Sequence, residues 1–242
     1  MDSTAPTNPR PFYVSQEMSF NPETLTTYEV GFKSDFAENR IRLNVAALYN
    51  KYEDVILRLN QCLSSPVGQQ TPCQLPANVG TADLQGVVLE SNVLRGGGFS
   101  IDLCASWLDF KYTDTDQGHT GIPRSYVTPF TPEKNAAVGL QWEKKLGGGN
   151  TFHIRGDWSY QDMVFGDAFN NPYNRIPACG LGNLRLGRKG ADNEWETSLE
   201  VLNVTDRLYY LATNDFSASA GSSSYSPGQP RTWAITVKRS FE

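Results

Sequence analysis

The sequence lacks the features that would place it in several common classes of protein. Its 21 Lys and Arg residues form no basic cluster, and 26 Asp and Glu residues give a formal net charge of −5, which argues against a nucleic-acid surface. No apolar run approaches the ~18 residues of a membrane-spanning helix. Histidine is scarce, with 2 in 242 residues, and there is no Gly-x-Ser-x-Gly motif. We therefore predict that the chain is not an enzyme and holds no cofactor.

Cysteine is also scarce and gives little direction. The 4 cysteines include no Cys-x-x-Cys motif, so the sequence predicts neither a zinc site nor a redox site. Cys62 and Cys73 lie in one segment, NQCLSSPVGQQTPCQLP, and are close enough in sequence to form a disulfide in an oxidising compartment. Two free thiols in a loop are the alternative.

The sequence does contain a strict alternation of apolar and polar residues. In NTFHIRGDWSYQ, residues 150–161, the large apolar side chains fall on one parity and the charged ones on the other, as in a strand with one apolar face. Nine segments are interpreted as strands, while no segment shows a convincing amphipathic helix. These segments are residues 26–36, 39–59, 83–94, 98–112, 133–146, 150–161, 180–190, 194–206 and 230–242.

The connections between these segments are alternately short and long. Tight turns such as AENR and GGGN separate long connections at residues 60–81, 114–131, 164–178 and 206–229. This rhythm is typical of an antiparallel, up-and-down β-barrel in an outer membrane, with short periplasmic turns and long extracellular loops. The apolar face would then contact lipid. His153, Arg155 and Asp157 would face the lumen, where lateral ion pairs between strands are a simpler role than a substrate path.

Four segments resemble the signatures of one family, the TonB-dependent outer-membrane receptors. NPETLTTYEVGFKSDF resembles the family's Asn-Pro and Pro-Glu segment in contracted form, and RIRLNVAALYNKYEDVI resembles the strand that follows it. LEVLNVTDRLYY resembles the penultimate-strand motif, with Asn203, Asp206 and Tyr209 at the matching positions. GQPRTWAITVKRSF resembles the closing strand, although Glu242 follows the final aromatic residue.

The resemblance implies that residues 1–242 are a C-terminal part of a 22-stranded receptor barrel, about nine strands of it, in a Gram-negative outer membrane. Such receptors take up scarce nutrients, most often ferric siderophores, with energy from the TonB complex. The plug domain that TonB contacts is absent from this sequence. No signal peptide precedes MDSTAPTNPRPFYV, which also favours a fragment. The resemblance further implies that the barrel-assembly machinery reads the closing strand through Trp233, Ile235, Val237 and Phe241. A passive porin-like channel and a soluble β-sandwich that binds carbohydrate remain open as alternatives.

The long connections carry the candidate binding residues. Aromatic and polar side chains suited to an external ligand occur together in two of them: Tyr173, Asn174 and Arg175, and Tyr209, Tyr210 and Tyr225. Asp114 and Asp116 in DTDQGHT match the opening of a calcium loop, but Ser125 stands where that loop requires glutamate, so an ordinary turn is favoured.

Overall fold

The structure, a computed structural model, describes residues 20–59, 75–191, 194–217 and 221–241. The disulfide predicted between Cys62 and Cys73 lies outside these residues. The strands are β1 Thr24–Phe36, β2 Ile41–Leu59, β3 Leu75–Gly96, β4 Phe99–Thr115, β5 Lys134–Lys145, β6 Thr151–Gln161, β7 Val164–Phe165, β8 Arg175–Ile176, β9 Cys179–Lys189, β10 Trp195–Leu202, β11 Tyr210–Phe216, β12 Ser222–Pro227 and β13 Thr232–Arg239. The described residues also contain one α-turn, α1 Gln117–Thr120, and 3₁₀ turns at Gly147–Gly149 and Pro172–Asn174. No helix within the described ranges is long and apolar enough to cross a membrane.

Nine strands form one antiparallel sheet in the order β1-β2-β3-β4-β5-β6-β9-β10-β13. Neighbours in this sheet are also neighbours along the chain once the small hairpins β7-β8 and β11-β12 are set aside. This is the up-and-down antiparallel arrangement that the alternation and the tight turns predict. The all-β barrel fold class is therefore confirmed.

The register places the apolar side chains of all nine strands on one face, which we call the outer face. One row across the sheet shows this: Ile41 lies opposite Val93, which is followed by Ile101, Leu140, Gly156, Leu184, Val201 and Trp233. Val201 in this row is buried, but large apolar side chains elsewhere on the face are exposed. Val30 is 73% exposed and Ile235 is 76% exposed. A soluble β-sandwich would bury such a face against a second large sheet, and none lies among the described residues.

The opposite, inner face is polar, and the two ends of the sheet differ. Tight turns join the strands at one end, the turn end, where Gly96, Gly97 and Gly98 have positive φ. At the other end, the loop end, residues 116–133, 162–178 and 203–231 make long connections. The main buried apolar cluster lies at the loop end, where two of these connections pack on strands β2 to β4. It contains Val55, Leu59, Val79, Ala82, Tyr112, Ile122 and Ala168.

This cluster explains where the predicted strand bounds were wrong. The third strand was expected to begin at residue 83, but β3 begins at Leu75. Its upper part is buried by loop residues such as Ile122, so its side chains do not alternate between an apolar and a polar face. Buried on both sides, Val79 and Ala82 interrupt the period-2 pattern that the prediction relied on. The hairpins β7-β8 and β11-β12 were missed because each lies within a connection interpreted as loop.

Candidate functional site

The centre of the inner face holds a charged network that joins three strands. Arg155 on β6 donates from Nη1 to Asp102 Oδ2 at 2.9 Å and lies 2.8 Å, through Nη2, from Asp157 Oδ1. Asn92 on β3 donates to the other oxygen of Asp102 at 2.6 Å. These hydrogen bonds to charged groups satisfy both carboxylates, so the network is held together without a ligand.

A glycine on β5 leaves the space through which the Arg155 side chain extends from β6 to β4. Gly139 on β5 lies between Asp102 and Asp157 in the register. A Cβ atom at this position would overlap Arg155 Nη2 and lie 3.0 Å from its Cζ. The same device recurs at Gly187, which lies opposite His153 and over which the imidazole ring lies. Arg155 and His153 of β6 thus extend over the neighbouring strands at positions occupied by glycine.

Further ion pairs extend the network across the inner face. Arg42 pairs with Asp35 at 3.0 Å near one edge of the sheet, and Arg185 pairs with Glu200 at 3.2 Å near the other. Acidic and basic side chains both occur on this face, and Arg42, Arg155 and Arg185 each pair with a carboxylate. A surface of this kind exerts no strong field of one sign on a passing ligand.

A groove runs along the inner face from this network toward the loop end. Its lower part, about 400 Å³, is lined by the network residues, and its upper part, about 500 Å³, lies beneath the loops. Cys104, Ala137 and Ser159 line both parts, so the two parts are adjacent. Tyr209 and Tyr210 line the upper part together with the inner-face side chains.

The base of the last loop is clamped by Asn203, which is 4% exposed. Its amide nitrogen donates to the carbonyl of Arg207 at 2.9 Å and to that of Gln229 at 3.2 Å, while its amide oxygen accepts the Arg207 N–H at 2.9 Å. Asp206 Oδ1 accepts the Arg231 N–H at 2.9 Å. The two ends of the loop are thereby joined at its base.

Tyr209 completes this clamp. The Gly228 N–H donates to the Tyr209 carbonyl at 2.9 Å, and the phenol ring lies so close to Gly228 that a Cβ atom there would overlap it. The motif residues Asn203, Asp206 and Tyr209 therefore fix the backbone of the loop, and the neighbouring Tyr210 is held at the groove.

The Pro-Glu segment at the start of β1 has a comparable role. Glu23 Oε2 accepts the N–H of Ile56 at 2.8 Å, beside the irregularity in β2 where Asp54 has a φ of 56°. Asn78 donates from its amide to the carbonyl of Asp54 at 2.7 Å and accepts the N–H of Asn21 at 2.7 Å. These side chains satisfy backbone groups that the bulge removes from the β-ladder.

Comparison with known families decides which class of barrel this sheet represents. A family model described as TonB dependent receptor-like, beta-barrel, matches residues 2–204. The chain belongs to this family. Members of the family lie in the outer membranes of Gram-negative bacteria. A search of curated proteins gave no match.

Several solved structures share the fold. The ferric yersiniabactin uptake receptor FyuA from Yersinia pestis superimposes with a TM-score of 0.72 at 21% identity, over 92% of this chain and 31% of FyuA. The siderophore receptor PiuA from Acinetobacter baumannii gives a TM-score of 0.67 at 19% identity, over 91% of this chain and 29% of PiuA. The copper transporter OprC gives 0.69 at 17% identity, over 92% and 32%. The chain thus spans about a third of the length of these receptors.

Within this receptor barrel, the loop residues predicted to bind a ligand lie in different environments. Tyr173 is 57% exposed and Arg175 is also exposed. Asn174 is fully buried, and its amide group donates to Asp167 and to the carbonyl of Phe169, so it cannot contact a ligand in this conformation. Its role in the structure is to hold the loop.

The second predicted group is brought together around the groove. The rings of Tyr210 and Tyr225 lie with centroids 4.8 Å apart, across the hairpin of β11 and β12. Tyr209 and Tyr210 line the groove. Tyr225 does not line it but packs against the ring of Tyr210.

The weak calcium candidate has its carboxylates engaged by basic side chains. Asp114 pairs with Arg124, and Asp116 caps α1 and lies 2.9 Å from the ring of His119. The hydrogen bond from His119 lowers the pKa of Asp116, and the same contact raises the pKa of His119. No group of three or more His, Cys, Asp or Glu side chains in the described part of the chain is arranged to hold a metal ion.

Sequence reasoning found Arg155 and Asp157 but missed their partners. Asp102 and Gly139 belong to strands with a clear alternation and Asn92 to one whose alternation is less clean, and the proximity of the three follows only from the register. One of these contacts could have been predicted from sequence. Asn92 and Asp102 are equidistant from the turn at Gly97, so a hairpin centred on that turn places them opposite each other.

At the closing strand, Trp233, Ile235 and Val237 lie on the outer face of β13. Phe241 lies beyond the end of that strand, is 80% exposed and has the guanidinium of Arg239 4.8 Å from its ring.

Proposed function

We propose that this chain forms about nine strands of a 22-stranded TonB-dependent receptor and takes part in the uptake of a scarce nutrient, a ferric siderophore in the simplest case. The observation that carries the proposal is a single sheet with an apolar outer face and a polar inner groove, covered at one end by loops that carry tyrosines. The outer face suits the lipid of the outer membrane, and the groove suits a ligand that enters from the loop end.

The free edges of the sheet support the view that these strands belong to a larger barrel. Among the described residues, β1 and β13 each pair with one neighbour only. An unpaired edge presents backbone N–H and C=O groups that lipid cannot satisfy. We propose that further strands of the same receptor occupy both edges, and that a plug domain and, through it, the TonB complex belong to the whole protein. The outer face of β13 and Phe241 would be read by the barrel-assembly machinery.

The lining of the groove favours a ligand with both aromatic and polar groups. Tyr209 and Tyr210 offer rings and hydroxyls, and Asn135 and Gln161 offer amides from the inner face. The balanced charges below them would not select strongly for either sign of ligand. A ferric siderophore fits this description: PiuA is named as a siderophore receptor and FyuA as a ferric yersiniabactin uptake receptor.

Two measurements test this proposal. An antibody raised against residues 206–229 should detect, in isolated outer membranes, a polypeptide several-fold heavier than 26.9 kDa. A band at 26.9 kDa would contradict the larger barrel.

The second measurement is growth under iron limitation of cells that carry Tyr210→Ala in the intact receptor. We expect a weakened uptake of the ferric siderophore that supports growth. Tyr28→Ala is the matched control, because Tyr28 is 65% exposed on the outer face, away from the groove. Equal growth of both variants, or ion conductance of the purified protein without any ligand-dependent uptake, would favour a passive channel instead.

A further inference from the structure

The segment Asn170-Asn171-Pro172-Tyr173-Asn174 lies between two other long connections and contacts both. It belongs to the connection at residues 162–178, which we call the central loop. The connection at 116–133 lies on one side and the connection at 203–231 lies on the other. We call these the first flanking loop and the second flanking loop.

Asn170 joins the central loop to the first flanking loop through two hydrogen bonds. Its Oδ1 accepts the N–H of Val127 at 2.6 Å, and its Nδ2 donates to the carbonyl of Val127 at 3.0 Å. The side-chain amide therefore pairs with both backbone groups of one residue, as a strand neighbour would. Both residues are half-buried, so water does not readily replace these bonds.

Asn171, the next residue, joins the central loop to the second flanking loop. Its Nδ2 donates to Asp215 Oδ2 on β11. Its Oδ1 accepts the N–H groups of Tyr173 at 2.8 Å and of Asn174 at 3.2 Å, which caps the 3₁₀ turn of the segment. One side chain thus shapes its own turn with one end and holds the neighbouring loop with the other.

Asn174 fixes the turn between these contacts. It is fully buried, and its carbonyl accepts the N–H of Gly166 at 2.8 Å and the hydroxyl of Thr213 at 3.4 Å. Thr213 packs so closely on Gly166 that a Cβ atom there would overlap its hydroxyl. The central loop therefore has a defined conformation from which Asn170 and Asn171 project to opposite neighbours.

We propose that Asn170, Asn171 and Asn174 are positioning residues that hold the two flanking loops in place over the inner groove. The three connections then form one interlocked cap, in which the asparagine segment is the joint. Phe130, Tyr209 and Tyr210, which line the upper groove, belong to the two flanking loops. The joint therefore acts together with the other contacts that hold them, which are the Asn203 clamp and the hydrogen bond from the Phe130 N–H to the Phe165 carbonyl at 3.0 Å. This inference rests on the proposed function in taking the cap as the rim of the uptake site. Its test requires no ligand.

The test is hydrogen–deuterium exchange of the intact receptor purified from outer membranes, comparing peptides that cover residues 122–130 and 210–217. Asn170→Ala should accelerate exchange in 122–130 by about tenfold, because two hydrogen bonds between neutral groups are lost, and leave 210–217 unchanged. Asn171→Asp should have the opposite selectivity. It keeps the acceptor that caps the 3₁₀ turn, removes the donor to Asp215 and places two carboxylates side by side.

The two variants are matched controls for each other, since they change adjacent residues of the same type. Tyr173→Ala, an exposed change in the same turn, should alter neither peptide. Protection of β5 and β6 amides shows whether each variant has kept the barrel. Selective acceleration supports the joint. Unchanged exchange in both variants would overturn it, and so would acceleration of both peptides by either single change. Loss of siderophore uptake plays no part in this result, so the proposed function can fail while the joint stands.

Discussion

Replacing Gly139 by alanine tests whether the inner-face network depends on the space that this glycine leaves. The added Cβ would overlap Arg155 Nη2 and lie 3.0 Å from Asp157 Oδ1, so the guanidinium must move. This movement should weaken most the hydrogen bond from Arg155 to Asp102 at 2.9 Å, because that bond spans the width of β5.

The magnitude follows from the type of bond and its exposure. A hydrogen bond to a charged group contributes about 1.5–3 kcal/mol when buried. The side chains of Arg155 and Asp102 are 31% and 45% exposed, so solvent screening reduces the loss. A value of about 1–2 kcal/mol is reasonable for such a pair. Alanine is intrinsically better than glycine in a strand by roughly 0.5–1 kcal/mol, which offsets part of it. We expect a net destabilisation of up to about 1.5 kcal/mol.

The assay is equilibrium unfolding in guanidinium chloride, in detergent micelles, followed by tryptophan fluorescence. Gly156→Ala is the matched control, because Gly156 lies on the neighbouring strand, on the outer face, and an added Cβ meets nothing within 4 Å. It should leave stability unchanged or slightly higher. In a background carrying Arg155→Ala, Gly139→Ala should become equally harmless. Destabilisation by Gly139→Ala of the same size with and without the arginine would refute the explanation.

Three further predictions concern the loop end. Asn203→Ala should destabilise the base of the last loop by about 2–4 kcal/mol, because its side-chain hydrogen bonds are lost and alanine is strained at a φ of 51°; Asn203→Gly should cost about 1 kcal/mol less. Chymotrypsin cleavage between residues 207 and 229 measures both, and equal cleavage of the two variants would contradict the role of φ. Glu23→Ala should lower stability by about 0.5–1 kcal/mol because the Ile56 N–H loses its acceptor at an exposed site. Glu23→Gln should retain most of that stability in thermal unfolding, and a Gln variant as weak as the Ala variant would count against the hydrogen bond. Burial alone would raise the pKa of Asp215, but hydrogen bonds from Ser217 and Asn171 outweigh it and hold the pKa below its ordinary value. Since the folded-state pKa is depressed, the contact between the central and second flanking loops should be fully present above about pH 4 and should weaken as the pH falls through the folded-state value. Exchange of residues 210–217, corrected for the intrinsic effect of pH, should therefore accelerate only under acidic conditions, and acceleration already at pH 6 would contradict this sign.

The strands could be predicted from sequence because a face of constant character imposes a period of two on every strand. That reasoning placed Phe152, Ile154 and Trp158 on one face of β6 and Arg155 on the other, as the register confirms. It failed where a residue is buried from both sides, as at Val79, because the pattern then no longer reports a single face.

The site was harder to predict because its contacts join strands that are separated by long connections. Asp102 and Gly139 become neighbours only after the connection at 116–133 is closed, and its length gives no register. Asn174 shows the opposite difficulty. A polar residue in a loop is usually solvated, but here the loop packs on itself and uses the amide group internally. A polar residue in a loop can therefore stabilise the fold of the loop or bind a ligand. Amino-acid composition does not distinguish these two roles.

The roles of Glu23 and Asn203 have a consequence for how receptors of this kind are classified. Both side chains serve backbone groups at the places where a strand bulges or a loop closes. Neither residue lines the groove, so a change of cargo would not by itself require a change at either position. A search built on these motifs would find barrels that share an architecture but import unrelated substrates. Sorting the same proteins by what they import would require residues that line the groove and lie outside the motifs, beginning with Tyr210.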